Sequence, residues 1–184
     1  MKKIPVVFTR VEVARLLNRV TNLKHQLAMA LSYGAGLRLS EITLLKAEDI
    51  DFENSLIRVA GREAMIPKNL KVSLWRYIKD KKTGQEIFKV SERNIQIAFN
   101  KAFKNAGITK EMNFFSLRHS FAVHLIENGM DTHHLKKLLG LNSRRAIQAY
   151  ARIADTQTQK IRSPLEDCAF LPADFTASAK TLRL

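Results

Sequence analysis

The segment Ser116-Leu117-Arg118-His119-Ser120-Phe121-Ala122-Val123-His124-Leu125 sets one arginine and two histidines in a largely apolar run that continues to Gly129. The pattern predicts a helix over residues 116–128, ended by Gly129 because glycine adopts the left-handed conformations that close helices. An arginine near a helix end is ordinarily a solvated carbonyl cap. This one has company along the chain: Gly36-Leu37-Arg38-Leu39-Ser40-Glu41 lies upstream, and Leu138-Leu139-Gly140 followed by Tyr150 lies downstream.

Thr9 with Glu12 is a capping-box pattern, and Val13, Leu16, Leu17 and Val20 recur at helical spacing, so a first helix is expected over residues 10–20. A second, largely apolar helix is expected over 24–33, closed by Gly34 and Gly36, and a short third begins near Ser40. The runs 56–60 and 64–67, separated by Gly61, Arg62 and Glu63, read as a β-hairpin, with 86–90 as a further strand at the sheet edge. Residues 68–79 look helical. Ser91 caps a helix carrying Ile95, Ile97, Ala98, Phe99, Ala102 and Phe103 as far as Gly107. After the central helix, Asp131 or Thr132 caps another that stops at Gly140, and a last one follows from about Ser143. The fold class is mainly α with a small antiparallel β-sheet. Beyond Asp155 the periodicity weakens and Pro164 and Pro172 interrupt it, which divides the chain into a domain over 1–154 and a tail over 155–184 with room for one short helix.

The 184 residues suffice for one ordinary domain. With 31 Lys and Arg against 17 Asp and Glu, the formal net charge of +14 favours a polyanionic partner, nucleic acid foremost; charge that only confers solubility is the plain alternative. The single Cys168 can form neither an internal disulfide nor a multi-thiolate zinc site, which is consistent with a reducing cytoplasm. The start of the chain is basic but too short in apolar residues for a signal peptide, and no run reaches the roughly 18 apolar residues of a membrane span, so a cytoplasmic protein without a membrane partner is expected. There is no Gly-rich phosphate loop ending in Lys-Ser/Thr, which argues against an ATP-driven enzyme. Glu48, Asp49, Asp51 and Glu53 read as a loop after a helix rather than as the converging carboxylates of a metal-dependent nuclease. No cofactor or metal is expected.

In this order and spacing the three segments resemble the tyrosine recombinases of the phage integrase family, over most of the chain from Phe8 to Ile153. The resemblance implies that family's catalytic-domain fold. It also implies site-specific cleavage and rejoining of double-stranded DNA through a 3′-phosphotyrosine intermediate, with Tyr150 as nucleophile and Arg38 and Arg118 holding the scissile phosphate. The residue types suit that chemistry. Guanidiniums bind non-bridging phosphate oxygens in a bidentate fork, and a phenol can store the phosphodiester energy covalently without a cofactor. Tyr33 and Tyr77 sit in apolar helical patterns and read as core. His119 and His124 share the central helix, and for His119, where the family commonly keeps histidine, packing or a hydrogen bond is expected.

The chain departs from the family pattern at positions that, in the family, accept the tyrosine proton or bind the phosphate (Phe115), donate a hydrogen bond to the scissile phosphate (Leu141), or protonate the departing 5′ oxygen (Arg62). Phe115 stands where a histidine usually precedes the second arginine by three residues, and Leu141 replaces the histidine or tryptophan that follows Leu-Leu-Gly. Arg62 occupies the position of the hairpin lysine; arginine contacts phosphate well but is a poor proton donor, because its pKa stays above ~12. His133 and His134 read as solvated helix residues. Loss of acid–base assistance costs on the order of 10²–10⁴ in rate, whereas loss of the nucleophile abolishes reaction. The reading is therefore a slowed recombinase, with a DNA-binding accessory or regulatory protein that does not cleave as the alternative. Lys136, Lys137, Arg144 and Arg145 around the Leu-Leu-Gly turn are expected to track phosphates, and Arg10, Arg15 and Arg19 form a second candidate stripe. The family generally adds an amino-terminal clamp domain; this chain begins almost directly at the catalytic-type domain, so a weaker intrinsic grip is expected. The family also works as a tetramer on two duplexes, and Ile161, Leu165, Phe170 and Leu171 in the tail could dock on a neighbouring subunit or fold back on their own domain.

Overall fold

A computed structural model describes residues 6–141, 144–151 and 163–170, with the backbone alone for 144–146. Its helices are α1 (Arg10–Asn18), α2 (Leu23–Gly34), α3 (Leu39–Thr43), α4 (Lys68–Ile78), α5 (Glu92–Asn105), α6 (Phe115–Glu127), α7 (Thr132–Leu139) and α8 (Arg144–Ala151). The capping box at α1 forms: Thr9 Oγ1 accepts from the Glu12 amide at 3.2 Å, and the Glu12 carboxylate accepts from the Thr9 amide at 2.7 Å. Helices α2 and α6 pack against each other at the centre. From Gln26 to Gly34 every residue of α2 is buried, as expected of a helix apolar all round. α5 lays Ile95, Phe99 and Ala102 on the core, where Phe99 meets Phe8, Phe103 and Phe114.

The sheet has three antiparallel strands in the order β1 (Ile50–Asp51), β2 (Leu56–Val59) and β3 (Arg62–Met65). It differs from the sequence expectation in two ways. Ala60 and Gly61 alone make the hairpin turn, both with left-handed φ (48° and 72°), so Arg62 is the first residue of β3, paired with Val59. Residues 86–90 do not form a strand: Glu86 makes one isolated bridge to Lys46, while Ile87 and Phe88 are both buried and Lys89 turns left-handed. The third strand is Ile50–Asp51 instead.

Residues 163–170, the described part of the tail, pack on α1, α2, α4 and α6 of the same chain through a 3₁₀ turn at Pro164–Asp167. Ser163 Oγ donates to Gly34 O at 2.6 Å, Asn69 Nδ2 donates to Leu165 O at 2.9 Å, and Leu165 and Phe170 are buried. Of the other tail residues named above, Ile161 and Leu171 lie outside the described residues, as does the 154/155 boundary. Beneath the turn, Cys168 Sγ approaches Tyr33 Oη at 3.6 Å, and Tyr33 Oη pairs with His124 Nδ1 at 2.9 Å. Tyr33 is fully buried core, and Tyr77 stacks half-buried on Phe88. Among the described residues no helix is long and apolar enough to cross a membrane.

Burial, reinforced by Arg10, depresses the His124 pKa to about 4 from its ordinary 6.5. The folded state therefore holds His124 neutral where the unfolded chain binds a proton, so its contribution is complete above pH 6.5 and is lost as pH falls towards 4. Urea unfolding should show wild type losing up to about 3 kcal/mol over that interval, and His124→Gln should lose markedly less. Equal losses would assign the acid sensitivity elsewhere.

Candidate active site

Four side chains from three parts of the chain converge beside the C-terminus of α7. Arg38 is the residue before α3, and Glu41 one turn later reaches back to it. The Glu41 carboxylate accepts from the Arg38 amide at 2.7 Å and from Arg38 Nη1 at 2.7 Å. Arg62, delivered by the first position of β3, donates Nη2 to Glu41 Oε2 at 2.5 Å. Arg118, in the first turn of α6, brings Nη1 to 3.8 Å from the same oxygen. Glu41 is 7% exposed at its side chain, Arg62 6%, Arg118 12% and Arg38 41%, so Arg38 is the cation that faces solvent.

The Leu138-Leu139-Gly140 segment supplies the other acceptors. Arg62 Nη1 donates to Leu138 O at 2.8 Å, Arg118 Nη2 to Leu139 O at 2.6 Å and Arg38 Nη2 to Gly140 O at 3.0 Å. The last carbonyls of a helix lack intrahelical partners and carry the negative end of its dipole, so three guanidiniums are a natural complement. Gly140 caps α7 with φ 56°, where an added Cβ would lie 3.0 Å from Arg62 Cδ. Gly36, whose carbonyl accepts from Arg118 Nη1, has φ 64°, and a Cβ there would meet the Phe121 ring at 2.5 Å. Both positions need glycine for backbone angle and for space.

Three cations around one carboxylate leave a local excess of positive charge. Burial and the neighbouring Arg62 and Arg38 lower the Arg118 pKa to about 10, which keeps it charged at neutral pH. Burial lowers Arg62 as well, against the opposing pull of Glu41. The Arg62 Nε is buried without a hydrogen-bond partner among the described residues.

Tyr150, on α8, is 6% exposed and its hydroxyl lies 2.8 Å from His119 Nδ1, one residue past Arg118 on α6. Burial raises the Tyr150 pKa, and Arg118 pulls the other way. Arg38, Arg118, His119 and Tyr150 line one cavity of about 340 Å³, whose wall also includes Phe115 and Leu141. Phe115 is 53% exposed at the mouth. Of the four residues singled out for chemistry from the sequence, the structure gathers Arg38, Arg62 and Arg118 around Glu41, and Arg38 and Arg118 share a cavity with Tyr150. It adds Glu41 and the His119 contact. Glu41 had a local signal, a carboxylate three residues after Arg38 at a helix start; the pairing of His119 with Tyr150 had none, because it joins two helices.

The candidate DNA-contacting residues divide. Lys137 is exposed and, with Arg58, Arg62 and His134, lines an open groove of about 1120 Å³ between the hairpin and α7; Lys136 is half-buried on the same helix. The side chains of Arg144 and Arg145 lie outside the described residues. Arg15 and Arg19 are exposed along α1, which packs on α2, α5 and the tail turn. Arg10 does not join them in a free stripe: its Nη2 donates to Asn128 Oδ1 at 2.8 Å and lies 3.7 Å from Glu127, an internal tie between α1 and α6. His133 and His134 are exposed at the start of α7, where Asp131 caps their amides, and neither lines the Tyr150 cavity.

The structure is a mainly helical domain with a three-stranded sheet that carries an arginine cluster and, on a late helix, a tyrosine, and comparison with known proteins places it in one family. Residues 7–157 match the family model described as Phage integrase family. Tyrosine recombinase XerA of Pyrococcus horikoshii is 32% identical over 181 residues, which cover 90% of this chain and 62% of the relative. The crystal structure of XerA recombinase superposes with a TM-score of 0.72 at 24% identity, covering 81% of this chain and 59% of that one. A lambda integrase dimer bound to a COC′ core site gives 0.66 at 20%, covering 88% and 64%. The chain belongs to the phage integrase family of tyrosine recombinases. It spans a little under two thirds of the length of the XerA relative it matches.

Removing Glu41 would leave Arg38, Arg62 and Arg118 confronting one another in a mostly buried site. Glu41→Ala is expected to lose about 3–5 kcal/mol in urea unfolding, and added sulfate should restore the variant more than it stabilises wild type. An unchanged midpoint would mean that the α7 carbonyls alone hold the cluster.

Proposed function

We propose that this chain is the catalytic domain of a site-specific DNA recombinase that cleaves and rejoins duplex DNA through Tyr150. The observation that carries the reading is the shared cavity in which the Tyr150 hydroxyl stands beside Arg38 and Arg118, in a site whose cations outnumber its carboxylate. A DNA phosphate is the ligand that such a site suits. Guanidiniums already pinned by Glu41 and by the end of α7 neutralise the charge that grows on the non-bridging oxygens during in-line attack, without reorganising as it develops. Arg62, held at the back of the cluster, adds positive potential; a guanidinium releases a proton too reluctantly to serve the departing 5′ oxygen.

Lys136, Lys137 and the hairpin groove, with Arg144 and Arg145, would follow the duplex backbone and give salt-sensitive affinity. The partner is double-stranded DNA; the lambda integrase neighbour is a dimer bound to a COC′ core site. Assembly as a tetramer on two duplexes, with the tail exchanged between subunits, follows from the family resemblance. A second reading, a DNA-binding accessory protein that does not cleave, draws on Phe115 and Leu141, which present carbon where the family presents histidine.

The test is incubation with nicked suicide DNA carrying sites from the protein's own genetic neighbourhood, resolved on a denaturing gel. Wild type should form a covalent adduct, Tyr150→Phe none, and Arg118→Ala an amount lower by about 10²–10³-fold. DNA binding without an adduct in wild type would favour the accessory protein.

A further inference from the structure

We infer that His119 is the proton acceptor for the attacking Tyr150, a catalytic role displaced along α6 from the position the family uses. The inference rests on the recombinase reading above. Its basis is the 2.8 Å contact between His119 Nδ1 and the Tyr150 hydroxyl, within direct proton-transfer distance of the reacting atom. Phe115 and His119 are four residues apart on α6, so they stack one above the other on the same face and line the same cavity. An acceptor absent at Phe115 is thereby supplied one helical turn later.

The other groups around the cavity leave His119 this task. Arg38 and Arg118 are cations with no lone pair to offer, and Phe115, Phe114 and Leu141 are apolar. Among the described residues Glu92 is the remaining titratable lining group; it is exposed at the first residue of α5, whereas the Tyr150 hydroxyl is already engaged by His119. Partial burial, with Arg118 adjacent, holds the His119 pKa below its ordinary 6.5. The ring is therefore neutral at physiological pH and, with its proton on Nε2, presents the Nδ1 lone pair to the phenol.

The step balances without any further reactant. As Tyr150 Oη bonds to phosphorus, its proton passes to His119 Nδ1. The bond from phosphorus to the 5′ oxygen breaks, its electron pair staying on that oxygen, which takes a proton from water. The imidazolium returns a proton to solvent, and religation runs the same path backwards.

Adduct formation on nicked suicide DNA, followed against pH with an ordinary substrate and with one whose scissile 5′ oxygen is replaced by sulfur, tests this. A 5′ thiolate leaves without protonation, so that substrate removes any defect in helping the leaving group and keeps a defect in activating the nucleophile. In wild type the rate should fall as pH drops through a midpoint below 6.5, where His119 becomes protonated. His119→Phe should be slower by about 10²–10⁴-fold on both substrates and lose that acid limb. His119→Asn keeps a hydrogen-bond acceptor near the Nδ1 position that is too weak a base to take the phenol proton; it should stay slow with a flat profile, and it serves as the informative variant if the phenylalanine form does not fold. Glu92→Gln should behave as wild type. Wild-type rates and an intact acid limb in both His119 variants would overturn the inference, as would a defect erased by the sulfur substrate. Absence of an adduct from wild type on either substrate would overturn the recombinase reading itself, a result separable from the other two.

Discussion

The site depends on one carboxylate. Glu41 is nearly buried and meets Arg38 and Arg62 at 2.7 and 2.5 Å, with Arg118 at 3.8 Å. These arginines come from the loop before α3, the second strand of the hairpin and the central helix, so the carboxylate ties three remote stretches of chain together. It cannot neutralise all three. The difference is absorbed by the carbonyls that end α7, whose dipole complements cations, and the residue is an electropositive site held in place before any ligand arrives. Free guanidiniums on long, unrestrained stems would have to be ordered on binding; these three already are.

Much of this frame was legible in the sequence, and the reason is local. The Thr9 and Ser91 caps, the glycines that end α2 and α7, and the apolar periods of α1, α5 and α6 each act within a few residues, and all of them formed. Arg38, Arg118 and Tyr150 could be picked out together because the segments around them match a family pattern. Where the reading failed, tertiary packing won. Residues 86–90 have a strand-like composition, but Ile87 and Phe88 are both drawn into the core. The tight turn at Ala60-Gly61 moved Arg62 from the loop into the strand, so that its side chain lies beneath the hairpin against Glu41 instead of at the tip.

What the sequence could not convey is which side chains meet across elements. Arg10 looked like one of three equivalent surface arginines on α1; it is distinguished only because Asn128 and Glu127 at the far end of α6 stand beside it. Leu-Leu-Gly reads as an apolar turn with a glycine stop, yet its contribution to the site is made by backbone oxygens, which no residue name encodes. The tail is a third case. Its hydrophobic residues could serve a neighbour or their own domain, and in this single chain Ser163 and Leu165 lock onto Gly34 and Asn69, with Cys168 set against Tyr33.

The carbonyls that hold the arginines also govern how a phosphate can enter. Each guanidinium has five N–H donors, and an anionic oxygen is a stronger acceptor than a neutral carbonyl, so a phosphate can draw on unoccupied donors or displace a carbonyl contact at little net cost. Arg38 has the most exposed side chain of the three, so it is the one a phosphate meets first; Arg118 lies deeper and Arg62 deepest. Arg38 and Arg118 share their cavity with Tyr150 and His119, whereas Arg62 borders the neighbouring groove between the hairpin and α7. The two apolar replacements, Phe115 and Leu141, border that cavity and leave the arginine cluster intact, so on the recombinase reading they would remove a proton acceptor and one hydrogen-bond donor while the guanidiniums stay in place. On that reading, a site altered in this way would keep its arginine hold on a phosphate while its rate would be set by whatever accepts the phenol proton.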